Sequence, residues 1–302
     1  MSIVLIAGGS GLIGNYLAKY LKDKGYTVRI LSREKKCINR FPRFLWDFAT
    51  GYIDEKAFDN IDYIINLAGE NIGSKSWSKN RKKDLLTSRI DSTKLLYEKT
   101  IEFNSSLKSF ITASAVGYYG AITSEKIFQE TDKPAKDFLG NICEKWEIGS
   151  QLFAANDIRT VQLRTGLVLT PKGGALEKIA NPIKKGFGAV LGNGKQYVPW
   201  IHIKDLCRIY EFALRNSKIE GAYNVVAPEY IDQKDFTHTL AKTLKKKTWM
   251  PNMPAFMLKW LLGEKSDLVL FGSRISTQKI LKSGFDYKYT SLDHALTSLY
   301  HQ

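Results

Sequence analysis

Five short apolar runs rich in β-branched residues punctuate the first two-thirds of the chain: "SIVLIA" at 2–7, "TVRILS" at 27–32, "YIINLA" at 63–68, "SFITAS" at 109–114 and "RTVQLR" at 159–164. Between them lie longer amphipathic stretches at about 12–24, 80–103 and 139–155. Near-continuous apolar strands joined by helices long enough for right-handed crossovers specify a parallel sheet covered on both faces. The pattern therefore predicts an α/β fold.

After about residue 170 the texture changes. Glycine and proline become frequent in "PKGGALEKIANPIKKGFGAVLGNGKQYVP", and "WIHIKDLCRIYEFAL" with "GAYNVV" then reads as a strand-helix-strand return. The last sixty or so residues, from "WMPNMPAFMLKWLLGEKS" to "SLDHALTSLY", read as short helices around an aromatic interior. The plan expected is a nucleotide-binding core over 1–170, with 200–227 returning to it. Segments 171–199 and 228–302 then form a small, mostly C-terminal α/β cap that binds substrate.

The first strand runs straight into "AGGSGLIG". A glycine cluster alone is a weak signal, but Gly8, Gly11 and Gly14 lie between a buried strand and an amphipathic helix. That setting supplies a tight turn, close backbone approach to a pyrophosphate and free N–H groups at a helix N-terminus, where Leu12 and Ile13 begin the first turn. The fold class is thus a Rossmann-like doubly wound parallel sheet that holds a dinucleotide.

The second strand chooses between nucleotides. A carboxylate at its end would hydrogen-bond ribose hydroxyls and repel a 2′-phosphate, whereas this strand ends "ILSRE". Ser32 and Arg33 offer a hydroxyl and a planar cation to a phosphate, which favours NADP(H). Glu34 argues the other way, since it lies about 20 residues beyond Gly14, but it falls two positions past the expected point.

Composition narrows the partners. The 302 residues carry 45 Lys+Arg against 30 Asp+Glu, a formal charge of +15, with 44% hydrophobic and 25% charged residues. That is ordinary globular composition, and the charge reads first as a lysine-rich solvated surface. No nucleic-acid-binding motif accompanies it and no apolar run is long enough for a span, so neither nucleic acid nor membrane is an expected partner. Cys37, Cys143 and Cys207 are odd in number and far apart, the usage of a reducing cytoplasm. The four histidines, His202, His238, His294 and His301, have no metal-ligand spacing.

Several segments together resemble the atypical extended short-chain dehydrogenase/reductases of the sugar-epimerase-like (YfcH-like) group. They run from "AGGSGLIG" through "NLAGENI", "SRIDSTKLL", "SAVGYYG", "KWE" and "LRTGLVL" to "VPWIHIKDL", "YNVVAP" and the C-terminal region. The resemblance covers nearly the whole chain. It implies that Leu67, Ala68 and Gly69 pass beside the adenosine ribose and pyrophosphate, that Arg89 projects toward the cofactor with Asp84 orienting it, and that Val168 flanks the nicotinamide. It also implies a small-molecule substrate between core and cap, and a homodimer paired through two core helices.

The usual chemistry of the superfamily needs a tyrosine four residues before a lysine on one helix face, plus a serine or threonine at the end of the fifth strand. A neighbouring ammonium makes the phenol acidic enough to pass a proton while a hydride moves. Here the helix reads "FLGNICEKWE". If Lys145 is the lysine, available to the nicotinamide ribose, Asn141 stands at the tyrosine position and cannot deliver a proton. Ser114, Tyr118 and Tyr119 are the replacement candidates, although counting back from Gly120 puts Ala115 in the serine slot. Cys143 is expected to be a buried thiol.

Other polar signals are secondary. His202 reads as a structural histidine, Arg164 and the "TPKGGAL" loop with Lys172 as a site for a substrate phosphate, and Lys245, Lys246 and Lys247 as an exposed run. Trp200, Trp249, Phe256 and Trp260 read as the core of the cap. Two functions stay open: an NADP(H)-dependent epimerase-like oxidoreductase acting on a small polar, nucleotide-sugar-like substrate, and a non-catalytic NADP(H)-sensing protein with a broken triad.

Overall fold

A computed structural model of the chain describes residues 2–34, 41–103 and 106–301, so Cys37 lies outside the described residues. In chain order the first half gives β1 (Ile3–Ala7), α1 (Leu12–Asp23), β2 (Thr27–Ser32), β3 (Arg43–Asp47), β4 (Tyr52–Ile53), β5 (Tyr63–Asn66), α2 (Lys79–Phe103), β6 (Ser109–Ala115) and β7 (Ile127–Phe128). Next come α3 (Phe138–Ala154), β8 (Arg159–Thr165), β9 (Leu167–Leu169), α4 (Gly174–Lys184), β10 (Trp200–His202), α5 (Ile203–Arg215) and β11 (Gly221–Val225). The chain ends with α6 (Gln233–Thr243), α7 (Ala255–Leu262), α8 (Asp267–Leu270), β12 (Arg274–Ile275), α9 (Gln278–Lys282) and α10 (Leu292–Tyr300).

Eight strands form one sheet in the order β11-β8-β6-β5-β1-β2-β3-β4, parallel throughout except where β4 returns beside β3. The chain moves outward from β1 through β2 and β3, then in the other direction through β5, β6, β8 and β11. The strand order therefore reverses beside β1, which opens a crevice at the carboxyl ends of β1 and β5.

Alternation along each strand sends side chains into two cores. On one face α1 and α5 bury Leu17, Leu21, Leu206 and Tyr210 against Val4, Ile6 and Ile30. On the other, α2 and α3 bury Leu95, Leu96 and Phe153 against Leu5, Ile64 and Phe110, with the Phe110 and Phe153 rings stacked at 3.7 Å. Asp137 fixes the start of α3 by accepting from Gly140 N–H at 2.8 Å.

The cap has its own core, in which α4, α6 and α10 surround Trp200 with Leu176, Ile183, Phe236, Leu240 and Leu296. Segment 200–227 divides between the two units. Its β10 pairs with β9 in a separate two-stranded sheet, while α5 and β11 rejoin the main sheet. Of the tryptophans expected in the cap core only Trp200 is there. Trp249, in the loop after α6, and Phe256 and Trp260, on the outer side of α7, are exposed; Leu258 is the one fully buried residue of that helix.

Candidate active site

The glycine turn lies in the crevice at the end of β1. Gly8 adopts φ of +78°, and a Cβ there would lie 2.8 Å from the carbonyl carbon and oxygen of Leu67. A Cβ on Gly14 would lie 2.5 Å from the Gly8 oxygen, so that residue lets α1 pack directly on the turn. Gly11 caps α1 without a side-chain hydrogen bond, and the first turn carries no acid. The helix consequently presents backbone donors from Leu12 and Ile13 to the crevice, a cradle for a pyrophosphate.

Opposite the turn, Leu67 N–H bonds the Ala7 oxygen at 2.8 Å, and Asn66 Oδ1 accepts from Ala68 N–H at 3.0 Å. Gly69 follows, where a Cβ would meet the Arg89 guanidinium carbon at 3.1 Å. Arg89 donates to the carbonyls of Leu85 at 2.8 Å and Glu70 at 3.2 Å and lies 4.9 Å from the Trp146 ring centre. Burial holds its pKa below the usual arginine range, although the charge is kept. Asp84 does not orient it: the Asp84 residue is exposed, and the anchors of Arg89 are the Leu85 carbonyl one helical turn back and the Glu70 carbonyl in the loop after β5.

At the end of β2, Ser32 is buried and its hydroxyl accepts from Glu34 N–H at 3.2 Å. Arg33 is exposed and reaches across the crevice to Glu70, 3.4 Å from its carboxylate. The buried Arg81 holds the other oxygen of Glu70 at 3.0 Å and also donates to the Asn71 carbonyl at 2.9 Å. Hydrogen bonding from Arg81 above all keeps the Glu70 carboxyl below the usual carboxylate range. Glu70 and Arg81 escaped the sequence reading, since the pairing joins residues from different elements and "NLAGENI" gives no hint that its glutamate is shared by two arginines.

The end of β6 and the facing side of α3 depart most from expectation. A Cβ on Gly117 would meet Leu139 Cβ at 3.5 Å and Cys143 Sγ at 3.6 Å, and the Cys143 thiol interacts with the Ala115 backbone. Leu139, Cys143 and Glu147 recur every four residues and are all buried. The Tyr-to-Lys spacing therefore falls on Leu139 and Cys143, opposite Ala115. Lys145 lies two residues away, about 200° around the helix, and is exposed. It does not join Ser114, whose hydroxyl partner on α3 is Glu147. Burial first, then the Glu147 carboxylate, pushes the Cys143 thiol up to about 12, so it is neutral and unreactive.

Behind this apolar face runs a buried polar chain. Ser114 donates to Glu147 at 2.6 Å, and Glu147 receives Arg164 in a two-pronged pair at 2.9 and 2.8 Å. Arg164 continues to the Tyr119 hydroxyl at 3.0 Å, which donates to Asn224 Oδ1 at 2.7 Å. Burial raises the Tyr119 phenol to about 12. Ser114 and Tyr119 are thereby committed to structure, and Arg164 is committed to Glu147 instead of a substrate phosphate. Tyr118 differs from them. Its ring lies on the Arg164 guanidinium at 3.4 Å while the residue stays partly open to solvent.

Three candidates remain. His202 is buried, stacks on Tyr289 at 3.7 Å, accepts from Lys204 N–H at 3.1 Å and contacts Ser298 Oγ at 3.2 Å. In the "TPKGGAL" loop Lys172 is exposed, and Gly173 N–H is taken by Glu177 of the same helix at 2.9 Å. Val168 sits half-buried in β9 against Ile201 of β10. No metal-binding cluster exists among the described residues.

The model of the NAD-dependent epimerase/dehydratase family matches residues 4–226, the whole of the main sheet and the crevice. The chain belongs to this family. A second model, a domain of unknown function (DUF1731), matches 253–299 in the cap. Relatives within this epimerase family include the protein YfhF of Bacillus subtilis (strain 168), 34% identical over 98% of this chain and 97% of that one. SAR0825 of Staphylococcus aureus (strain MRSA252) is also 34% identical, over 99% of each. The human epimerase family protein SDR39U1, solved with NADPH, superposes with a TM-score of 0.89 at 30% identity over 99% of each chain. These relatives make the chain an atypical extended short-chain dehydrogenase/reductase with a nicotinamide-dinucleotide-binding fold. The UDP-glucose 4-epimerase of Thermotoga maritima shares the fold, with a TM-score of 0.81 at 19% identity.

Proposed function

We propose that the protein binds NADP(H) and acts as an epimerase-like oxidoreductase on a small polar, nucleotide-sugar-like substrate between core and cap. The observation that carries the cofactor choice is the end of β2, where a buried serine hydroxyl and the exposed Arg33 stand in place of a carboxylate. The human relative solved with NADPH supports the same choice. When bound, the cofactor supplies hydride transfer at its nicotinamide. The cradle residues Gly8, Gly11, Leu12, Ile13 and Gly14 would hold its pyrophosphate, Leu67, Ala68 and Gly69 would flank the adenosine half, and Val168 would border the nicotinamide side.

Within that reading Tyr118 is the proton donor. Burial, ahead of the opposing effect of Arg164, raises its pKa, so the phenol stays protonated at neutral pH and can donate. Arg164 beneath the ring favours the phenolate that donation would leave, the part an ammonium plays in the usual triad. Glu147 fixes Arg164 in that position.

The apolar trio Leu139, Cys143 and Ala115 favours the second reading, a protein that binds NADP(H) and senses its redox state without turnover. Assays of NADPH oxidation and sugar epimerisation over a panel of nucleotide sugars and small carbonyl compounds separate the two. Turnover that Tyr118→Phe reduces by two or more orders of magnitude, with NADPH affinity unchanged, supports the enzyme. Unchanged turnover in that variant removes Tyr118 from the role, and absence of any turnover with intact NADPH binding leaves the sensor.

A further inference from the structure

One end of the cap gathers two chain segments of the same character. The C-terminus of α4 runs through Lys184 and Lys185 to Phe187, and the C-terminus of α6 runs through Lys245, Lys246 and Lys247 to Trp249; all seven residues are exposed. The segments are tied together. Trp249 Nε1 donates to the Gly186 carbonyl at 3.1 Å, and Met253 N–H bonds the Val190 carbonyl at 2.8 Å. A basic and aromatic pair of loops is therefore fixed in place, although about sixty residues separate its halves.

The chain leaves this platform directly into α7. There Phe256 and Trp260, and beside them Met257 and Leu261, are spaced four residues apart and form one exposed apolar face, with Trp260 87% exposed. Leu258 on the opposite side is the buried anchor. Glu264, just beyond the helix, is already engaged by Lys82 of α2, so its charge is matched. The exposed apolar side chains of α7 thus lie next in the chain to lysine-bearing loops tied to one another, and apolar side chains with lysines nearby suit a lipid interface.

We propose that this face of the cap docks on an anionic phospholipid surface, with α7 lying in the plane of the interface and the lysine-bearing loops against the headgroups. A peripheral contact of this kind needs no membrane span, so it is compatible with the absence, among the described residues, of any helix long and apolar enough to cross a bilayer. Two other occupants fit less well. A symmetric second copy would set the lysines of one chain against those of the other, in a protein of net charge +15. A single-stranded nucleic acid would use rings lining a groove, whereas here aliphatic Met257 and Leu261 share a convex helix with the rings and no arginine takes part.

The test is co-sedimentation of the full chain with vesicles of pure phosphatidylcholine and of an equimolar mixture with phosphatidylglycerol, at low and high salt. Binding to the mixed vesicles at least tenfold above the neutral ones, weakened by salt, is expected. The double variant F256S/W260S loses that binding at least tenfold, and K245Q/K246Q/K247Q loses it on the order of a hundredfold at low salt. Both retain the thermal stabilisation by NADPH, which shows that the fold and the cofactor site survive. The proposal is overturned if the unsubstituted chain does not sediment with mixed vesicles, or if the variants bind as it does. It is equally overturned if the same substitutions instead dissolve a dimer or abolish retention on single-stranded RNA.

Discussion

At the level of single residues, the site is held by charges that the sequence shows only one at a time. Arg33 was legible, because it sits at a fixed place after a recognisable strand. Its partner Glu70, and the arginine behind that, were not, because nothing local links positions 33, 70 and 81. The Glu147–Arg164 pair has the same character, with side chains only 9% and 3% exposed. Removing one charge of such a pair leaves the other buried and alone. Glu147→Gln is therefore expected to cost about 3–5 kcal/mol in urea unfolding, and Lys145→Ala, on the outside of the same helix, less than about 0.5 kcal/mol. A large effect of Lys145→Ala would restore that residue to a structural or catalytic role. Gly14→Ala forces its methyl onto the Gly8 carbonyl, and loss of both NADPH binding and stability is the expected outcome in a thermal melt.

Elements were more legible than their faces. Helices α1, α2 and α3 start and stop within about a residue or two of the apolar pattern, but the pattern did not fix the phase of α3. Its face toward β6 was set by tertiary packing, and the lysine in "EKWE" happened to sit near the expected spacing on the wrong side. The short strands β3 and β4 were missed because their aromatic and charged residues do not form an apolar run. Element α5 carries a consequence for pH. It is capped by His202, whose pKa burial, and then the charges of Lys204, His294 and Lys288, depress to about 3. The unfolded chain binds that proton below about pH 6.5, whereas the folded chain resists it, so the stabilisation is complete above that pH and lost as pH falls toward about 3. Between roughly pH 6.5 and 5 the loss is expected at up to about 1.4 kcal/mol per pH unit. His202→Asn should flatten it in urea titrations at stepped pH; an unchanged slope would place the titration elsewhere.

For the whole molecule, the alternation of strand and helix was sufficient for the doubly wound sheet, because burial on both faces writes itself into the sequence as period and length. The cap was readable as a change of texture but not in its surface. Trp249, Phe256 and Trp260 look like core by residue type, but the first lies in an exposed loop and the other two on the side of α7 turned away from the buried Leu258. The crevice at the strand reversal, with its glycine cradle and the arginine at the end of β2, is the feature on which the proposed function rests. The decisive measurement is a calorimetric titration of the unsubstituted chain and of Arg33→Ala with NADPH and with NADH. A charge-assisted contact to the 2′-phosphate is worth about 1.5–3 kcal/mol, so the unsubstituted chain should bind NADPH at least about tenfold more tightly than NADH. Arg33→Ala should lose that margin and leave NADH binding unchanged. Equal affinities in the unsubstituted chain, or a preference for NADPH that survives the loss of Arg33, would contradict it.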